Sequence, residues 1–140
     1  MSYLIDTNVL SELARNEPSE AVAAWMKRQD LGAIYLSVIT LAEITRGLTV
    51  ARDPVRRRRL EAWLADVKAA FARRILPVDA PTAELGGQIE GRCQLAGRPA
   101  EPFDTLIAAT AQAHGLTLVT RNVKDFEVWG GPVFNPWDQD

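Results

Sequence analysis

The sequence is poor in the two side chains that most often build nitrogen- and sulfur-based metal sites and catalytic triads. Its 140 residues include one cysteine, Cys93, and one histidine, His114. A single cysteine permits no internal disulfide and no cysteine-based metal cluster, so Cys93 is expected to fill space on a helix. His114 directly precedes Gly115 at the end of a predicted helix, where it is expected to act as a C-terminal cap. Triads of the serine–histidine–aspartate or cysteine–histidine type are therefore not expected.

Long apolar runs and a strong charge of either sign are also absent. No apolar stretch approaches the ~20 residues of a membrane span, and the opening MSYLID lacks the basic and apolar regions of a secretory signal. We therefore expect a cytoplasmic protein with no membrane partner. The formal net charge of −2 argues against tight, non-specific nucleic-acid binding through overall charge. With 47% hydrophobic residues, the chain is predicted to form one domain over residues 1–140.

Positive charge is nevertheless concentrated in two short segments. Arg56–Arg59 form one block in VRRRRLEAW, and Arg73 and Arg74 form a second. Such runs are most often the solvated face of a helix. The alternative is a surface that meets phosphate or an acidic partner chain.

Short apolar runs alternate with helical patterns along the whole chain. The predicted strands are Tyr3–Asp6, Ile34–Val38, Ile75–Val78 and Thr117–Thr120, with a short fifth at Pro132–Phe134. This order predicts a mostly parallel sheet with helices on both faces. Among the helices, Asp53 and Pro54 provide a cap and a first residue for the longest one. Another, predicted to start at Pro81, contains Gly86, Gly87 and Gly91, which would let a neighbouring helix approach closely.

Acidic and amide side chains follow several of these strands. Asp6 ends the first strand, Glu43 follows the second, Asp104 opens a helix, and Asn122 and Asp125 follow the fourth strand. Because the carboxyl ends of parallel strands meet at one edge of a sheet, these groups are expected to lie on the same rim. Each also has a simpler explanation: Asp6 and Asp104 as helix caps, Glu43 as a partner of Arg46, and Asp125 as a turn cap.

Several carboxylates on one rim would repel one another unless a cation neutralised them. Oxygen ligands without a cysteine or histidine cluster suit Mg²⁺ or Mn²⁺, whereas zinc prefers nitrogen or sulfur. The sequence therefore predicts a site for a hard divalent cation.

Several motifs resemble those of PIN-domain ribonucleases, and the strongest likeness is to the VapC and FitB toxins of bacterial toxin–antitoxin pairs. The motifs of this sequence are LIDTNVLSEL, SVITLAEITRG, GRPAEPFDTLIAATAQAHGLTLVTRNVKDF and the closing VFNPWD. They occur in the family's order over essentially the whole chain. The resemblance implies a three-layer α/β/α sandwich with a mostly parallel central sheet. It also implies Mg²⁺- or Mn²⁺-dependent cleavage of RNA by metal-activated water, leaving a 5′-phosphate and a 3′-hydroxyl.

By this resemblance, Asp6, Glu43 and Asp104 match the family's three core acids. Members similar to FitB carry the fourth acid directly after a Thr-Arg pair, where this sequence has Asn122. Other VapC-like members carry it three residues later, before a Phe, and Asp125 fits that position. We assign the acidic role to Asp125 and keep Asn122 as a supporting ligand.

The remaining polar residues of these motifs have supporting roles by the same resemblance. Thr7, Asn8 and Thr120 would orient ligands or water. Arg46 would either contact a substrate phosphate or pair with an acid.

The resemblance further implies a cognate antitoxin, a homodimer, and a larger toxin–antitoxin assembly that binds DNA through the antitoxin. Two other functions are retained as alternatives. A phosphotransferase with Asp6 as its nucleophile would usually need a second acid two residues on, where this chain has Asn8. A catalytically weak PIN-like module for RNA binding or interaction would explain Asn122.

Overall fold

A computed structural model describes residues 1–138, so the last two residues of the predicted 1–140 domain lie outside the described part. Within residues 1–138 five parallel strands form one sheet in the order β3-β2-β1-β4-β5. The strands are β1 (Tyr3–Ile5), β2 (Ile34–Ser37), β3 (Ile75–Leu76), β4 (Thr117–Val119) and β5 (Val133–Phe134). The helices are α1 (Thr7–Leu13), α2 (Glu20–Lys27), α3 (Val38–Val50), α4 (Pro54–Ala70), α5 (Ala80–Leu95) and α6 (Pro102–Ala113). The predicted mostly parallel α/β architecture is confirmed.

Side-chain alternation along the strands divides the core into two clusters, one on each face of the sheet. Leu4 and Leu118 belong to the cluster that contains α5 and α6 residues, such as Ile107. Their neighbours Ile5 and Val119 belong to the other cluster, with residues from α1 to α4. Strands that are buried on both faces are expected to be mainly apolar, and consecutive apolar residues such as Leu4 with Ile5 and Leu118 with Val119 fit this.

The first two predicted strands are each one residue too long at the carboxyl end, for one physical reason. Asp6 is the N-cap of α1 and Ser37 is the N-cap of α3, so the chain leaves the sheet and turns into a helix at once. The helix signals are otherwise accurate. Asp53 caps α4 with Pro54 as its first residue, whereas α5 begins at Ala80, one residue before the predicted Pro81. Gly115 adopts a φ of 64° after α6, as a C′ residue should.

The two arginine clusters have partly structural roles. Arg57 donates to the backbone carbonyl of Ala51 at the end of α3. Arg74 donates to the carbonyls of Ile34 and Ala70, which ties the start of β2 to the end of α4. Arg56, Arg58 and Arg59 are exposed on α4, as the prediction of a solvated helix face requires.

The prediction that Cys93 fills space on a helix is confirmed. Cys93 is a buried residue of α5, and Trp25 and Trp129 are buried in the core. Residues 1–138 contain no helix long and apolar enough to cross a membrane.

Of the three glycines in α5, Gly86 alone meets a neighbouring helix. A Cβ atom built on Gly86 would lie 2.8 Å from Cδ2 of Leu106 on α6, whereas Gly87 and Gly91 have no such neighbour within 4 Å. The close approach of α5 to α6 therefore depends on Gly86.

We expect Gly87→Ala to stabilise the protein and Gly86→Ala to give a smaller gain or a loss. Alanine is favoured over glycine in a helix by about 0.5–1 kcal/mol at both positions. At Gly86 the new methyl group must also displace the Leu106 side chain. Urea unfolding of the two variants measures the difference, and equal gains would show that the contact with Leu106 is unimportant.

Candidate active site

The carboxyl ends of β1, β2 and β4 point to one edge of the sheet, and the predicted polar residues lie along it. Asp6 directly follows β1. Glu43 is on α3, which begins directly after β2. Asn122 and Asp125 follow β4, in and next to a 3-10 turn at Val123–Phe126. Asp104 is in the first turn of α6.

Asp6 is a buried carboxylate with a dense set of hydrogen bonds. The residue is only 5% exposed. Oδ1 accepts the backbone N–H of Thr7 at 2.8 Å, and Oδ2 accepts the hydroxyl of Thr120 at 2.8 Å. Burial raises the pKa of Asp6, the two hydrogen bonds oppose that rise, and the charge of Asp125 adds to it. The capping interpretation is therefore correct as geometry, but capping alone does not require a carboxylate to be buried.

Thr120 connects β1 to the segment after β4. Besides donating to Asp6, its hydroxyl accepts Nδ2 of Asn8 at 3.2 Å and the backbone N–H of Asn122 at 3.1 Å. Asn8 Oδ1 accepts the backbone N–H of Arg121 at 3.3 Å. Thr120 and Asn8 thus fix where Asn122 lies relative to Asp6.

Glu43 is fixed by α1 rather than by an ion pair. The Thr7 hydroxyl donates to Glu43 Oε1 at 2.6 Å and lies 3.2 Å from the Thr40 hydroxyl. Burial raises the pKa of Glu43, and the charge of Asp6 also raises it. The hydrogen bond from Thr7 lowers this pKa. Arg46 also lowers the pKa of Glu43, but no salt bridge joins the two side chains in the described residues.

Asp104 has the most perturbed carboxyl group on this edge. It is not the predicted N-cap, because α6 begins at Pro102 and Glu101 occupies the cap position. Its pKa is raised to about 6, first by burial and then by the charges of Asp6, Glu43, Asp125 and Glu101. The charges of the other three predicted acids therefore all raise the pKa of Asp104.

Two hollows meet at Asp104. The larger, a cleft of about 520 Å³, is lined by Asp6, Thr7, Asn8, Ser11, Glu12, Arg15, Glu43, Asp104 and Asn122. The smaller, of about 210 Å³, contains Asp125 and is lined also by Cys93, Arg98, Pro99, Ala100, Glu101 and Val128. Asn122 thus lines the larger hollow and Asp125 the smaller, and Asp104 lines both, so the structure brings both candidates for the fourth ligand to the site.

The donor set suits a hard divalent cation. In residues 1–138 no three His, Cys, Asp or Glu side chains are grouped so that they alone could hold a metal ion. Mg²⁺ does not require such a cage, because it keeps several waters and is commonly bound by one or two carboxylates together with substrate phosphate. Carboxylates that raise one another's pKa at the edge of a cleft provide that environment, since a cation offsets their repulsion.

His114 does not line the larger cleft, and this agrees with its predicted role as a helix cap. It occupies the C-cap position of α6, and its charge acts on Asp79 at the start of α5. Four charged residues that line the hollows were not selected from the sequence, namely Glu12, Arg15, Arg98 and Glu101. The spacing of Glu12 and Arg15 was a signal for an ion pair on a helix. Arg98 had none, because its position depends on how the segment between α5 and α6 folds.

Comparison with known proteins assigns the fold and the motifs to one family. The PIN domain family model matches residues 3–128. Toxin FitB of Neisseria gonorrhoeae is 39% identical over 135 residues, with 96% of this chain and 97% of that protein covered. VapC ribonuclease Y4jK of Sinorhizobium fredii is 37% identical over 139 residues, with 96% of this chain and 97% of that protein covered.

Solved structures agree with these relatives. The structure of FitAB bound to an IR36 DNA fragment superimposes with a TM-score of 0.88 at 37% identity, covering 99% of this chain and 97% of that one. A toxin–antitoxin complex from Klebsiella pneumoniae gives a TM-score of 0.72 at 25% identity, covering 99% and 100%. Because the family model spans most of the chain and these relatives align with it nearly end to end, the chain belongs to the PIN-domain family, together with FitB and VapC.

Proposed function

We propose that this protein is a metal-dependent endoribonuclease that acts as the toxin of a toxin–antitoxin pair. One observation carries the proposal. Asp6, Glu43, Asp104 and Asp125 come from separate segments and act on one another electrostatically at the carboxyl edge of the sheet. The names of the relatives, a toxin and a VapC ribonuclease, support the activity.

In this proposal Asp6, Asp104 and Asp125 hold Mg²⁺ or Mn²⁺, and Glu43 holds a second ion or orients the attacking water. The bound cation supplies Lewis-acid chemistry, since it offsets the charge of a phosphodiester and lowers the pKa of water. Thr120 and the N–H of Thr7 fix the two oxygens of Asp6. Thr7 fixes one oxygen of Glu43 and leaves the other free to orient water. Asn122 is a supporting ligand, and Arg46 contacts substrate phosphate or offsets the charge of Glu43.

The partners follow from the same proposal. A cognate antitoxin would neutralise the enzyme, and the complex would bind DNA through the antitoxin, as suggested by the DNA-bound FitAB structure and the K. pneumoniae toxin–antitoxin complex. The RNA substrate and a homodimer complete the proposed set. Because the cleft is acidic, a basic side chain of the antitoxin is the group best suited to enter it.

We expect Asp6→Asn to abolish RNA cleavage without unfolding the protein. Asparagine caps helices as well as aspartate does, so the start of α1 is kept while the charge is lost. Loss of a metal ligand should reduce the rate at least about 100-fold, because the cation contributes several kcal/mol to catalysis. The measurement is cleavage of a pool of structured RNAs by purified, antitoxin-free protein with Mg²⁺ or Mn²⁺, beside a chelator.

The matched control is Asp66→Asn, which removes an exposed carboxylate from α4. It should cleave at the wild-type rate. Cleavage that survives both chelation and Asp6→Asn would contradict the metal-dependent mechanism. A folded wild type that neither binds the metals nor cleaves RNA would support the alternative of an inactive PIN-like module.

The pKa of Asp104 predicts how stability depends on pH in the absence of divalent cations. Because the folded-state pKa is about 6 and the unfolded-state pKa is near 3.8, ionisation of this group destabilises the folded protein. The effect is absent below pH 4, grows as pH rises from 4 to 6, and is complete above pH 6. Asp104→Asn should therefore raise the melting temperature at pH 7 and have little effect at pH 4.

Divalent cations should reverse the order of the two melting temperatures at pH 7. Mg²⁺ or Mn²⁺ should raise the melting temperature of the wild type at pH 7, and raise that of Asp104→Asn less, because binding to the folded state alone stabilises it. Thermal unfolding in a chelator and in each metal measures both effects. An identical pH profile for the two proteins would show that Asp104 is not under electrostatic stress.

Variants at the two candidates for the fourth ligand test that assignment. Asp125→Asn should weaken both metal-induced stabilisation and cleavage, because the charge of Asp125 acts on Asp6 and Asp104. Asn122→Ala should have the smaller effect on metal binding. The opposite ranking in a metal titration would move the fourth ligand to Asn122.

A further inference from the structure

If the protein cleaves RNA as proposed, its acidic cleft must bind a substrate of the same charge. The inference below rests on that proposed function. RNA carries a negative charge on every phosphate, and the protein has a net charge of −2. Affinity for RNA must therefore come from cations placed beside the carboxylates rather than from overall charge. The described surface offers three arginines next to the two hollows that meet at Asp104.

Arg15 lines the larger cleft, just beyond the end of α1. Its Nη1 lies 3.3 Å from both carboxylate oxygens of Glu12, and its side chain is 67% exposed. This pairing uses one of the two terminal nitrogens of the guanidinium, which carries five N–H donors in total. The other donors remain available to a phosphate.

Glu12 is a fixed support for Arg15. It is only 7% exposed, and its Oε2 accepts the backbone N–H of Ser19, the N-cap of α2, at 2.8 Å. That N–H, with the charges of Arg15 and Arg121, lowers the pKa of Glu12 and keeps it ionised. Arg15 is thus held at the edge of the cleft by a carboxylate that is itself bound to the backbone.

Arg121 lies on the same side of the cleft. Its backbone N–H donates to Asn8, and its charge acts on Glu12. Its guanidinium lies over the ring of Trp137, 5.0 Å from the ring centre. A stacked guanidinium keeps its edge free for hydrogen bonds in the plane.

Arg98 lines the smaller hollow, which shares Asp104 with the larger cleft. Its Nη2 donates to the backbone carbonyl of Lys124 at 2.9 Å, and its Nη1 donates to Glu127 Oε2 at 3.1 Å. The side chain is still 49% exposed. Both contacts are with the segment that carries Asp125, so Arg98 is held close to the acids.

We infer that Arg15 and Arg121 on one side, and Arg98 on the other, bind backbone phosphates of the RNA on the two sides of the bond that is cut. Arg15 and Arg98 line the two hollows, the charge of Arg121 reaches Glu12 beside Arg15, and all three side chains are held by neighbouring groups and remain partly exposed. The ion pair of Arg98 with Glu127 is exposed at both side chains, so it stabilises the fold little and does not by itself explain the position of Arg98. An RNA strand crossing Asp104 would replace part of their hydration with phosphate oxygens.

The test measures binding of a structured RNA to the Asp6→Asn protein, in which binding is separated from cleavage. Arg15→Gln, Arg121→Gln and Arg98→Gln are added singly. Each should weaken binding about 3- to 10-fold, the range that corresponds to the net contribution of one typical hydrogen bond. Each should also reduce the slope of log affinity against log salt by about 0.7 if the contacted strand is single. The control is Arg73→Gln, an exposed arginine before β3, at the edge where the strands begin; it should change neither value.

Thermal unfolding checks that each variant is folded, and Arg15→Lys and Arg98→Lys serve as milder variants that keep the charge. If the wild type cleaves RNA but the three glutamine variants bind as Arg73→Gln does, the proposed function holds and this inference is wrong. If the wild type neither binds nor cleaves RNA, both fail. Weaker binding with smaller salt slopes at all three positions, and wild-type behaviour of Arg73→Gln, supports the inference.

Discussion

The organisation of this protein depends on keeping carboxylates charged where water is partly excluded. Asp6 directly follows the central strand, β1, at a position that is 5% exposed, and burial there favours its neutral form. The hydrogen bonds from Thr7 and Thr120 oppose that tendency, and they come from opposite directions: one from α1 and one from the end of β4. The polar residues at this edge of the sheet therefore stabilise the charged form of Asp6, in addition to capping helices.

The same constraint explains why α1 and α3 meet through Thr7 and Glu43. A second buried carboxylate near Asp6 would be unfavourable without a donor, and the Thr7 hydroxyl provides one at 2.6 Å. Asp104 has no such donor in the described hydrogen bonds, and its pKa is the one raised to about 6. The unrelieved repulsion is thus concentrated at the residue where the two hollows meet, which is the place where a cation would relieve most of it.

The sequence was informative wherever a local pattern determined the structure. The alternation of apolar runs and helices predicted the parallel sheet, Asp53 with Pro54 predicted the start of α4, and Gly115 predicted the end of α6. The positions of Asp6 and Glu43 followed from the rule that parallel strands end at one edge. Local patterns did not predict that Asp6 would be both a cap and a buried charge, because burial depends on β4, more than a hundred residues away. Nor did they reveal Arg98, whose position depends on how the segment between α5 and α6 folds. The ligand roles of the four acids remain proposals drawn from their mutual electrostatics.

The central position of β1 has a consequence for when the site can exist. β1 pairs with β4, so Tyr3 lies beside Thr117, and Asp6 receives its second hydrogen bond from Thr120. Contacts between residues so far apart in sequence are formed late, because a long loop must close before they are made. A chain that is still being synthesised therefore lacks this site until residues 117–125 have been added. The order of the strands delays the site: a growing chain that already contains Asp6, Glu43 and Asp104 still lacks the hydroxyl of Thr120 that holds Asp6.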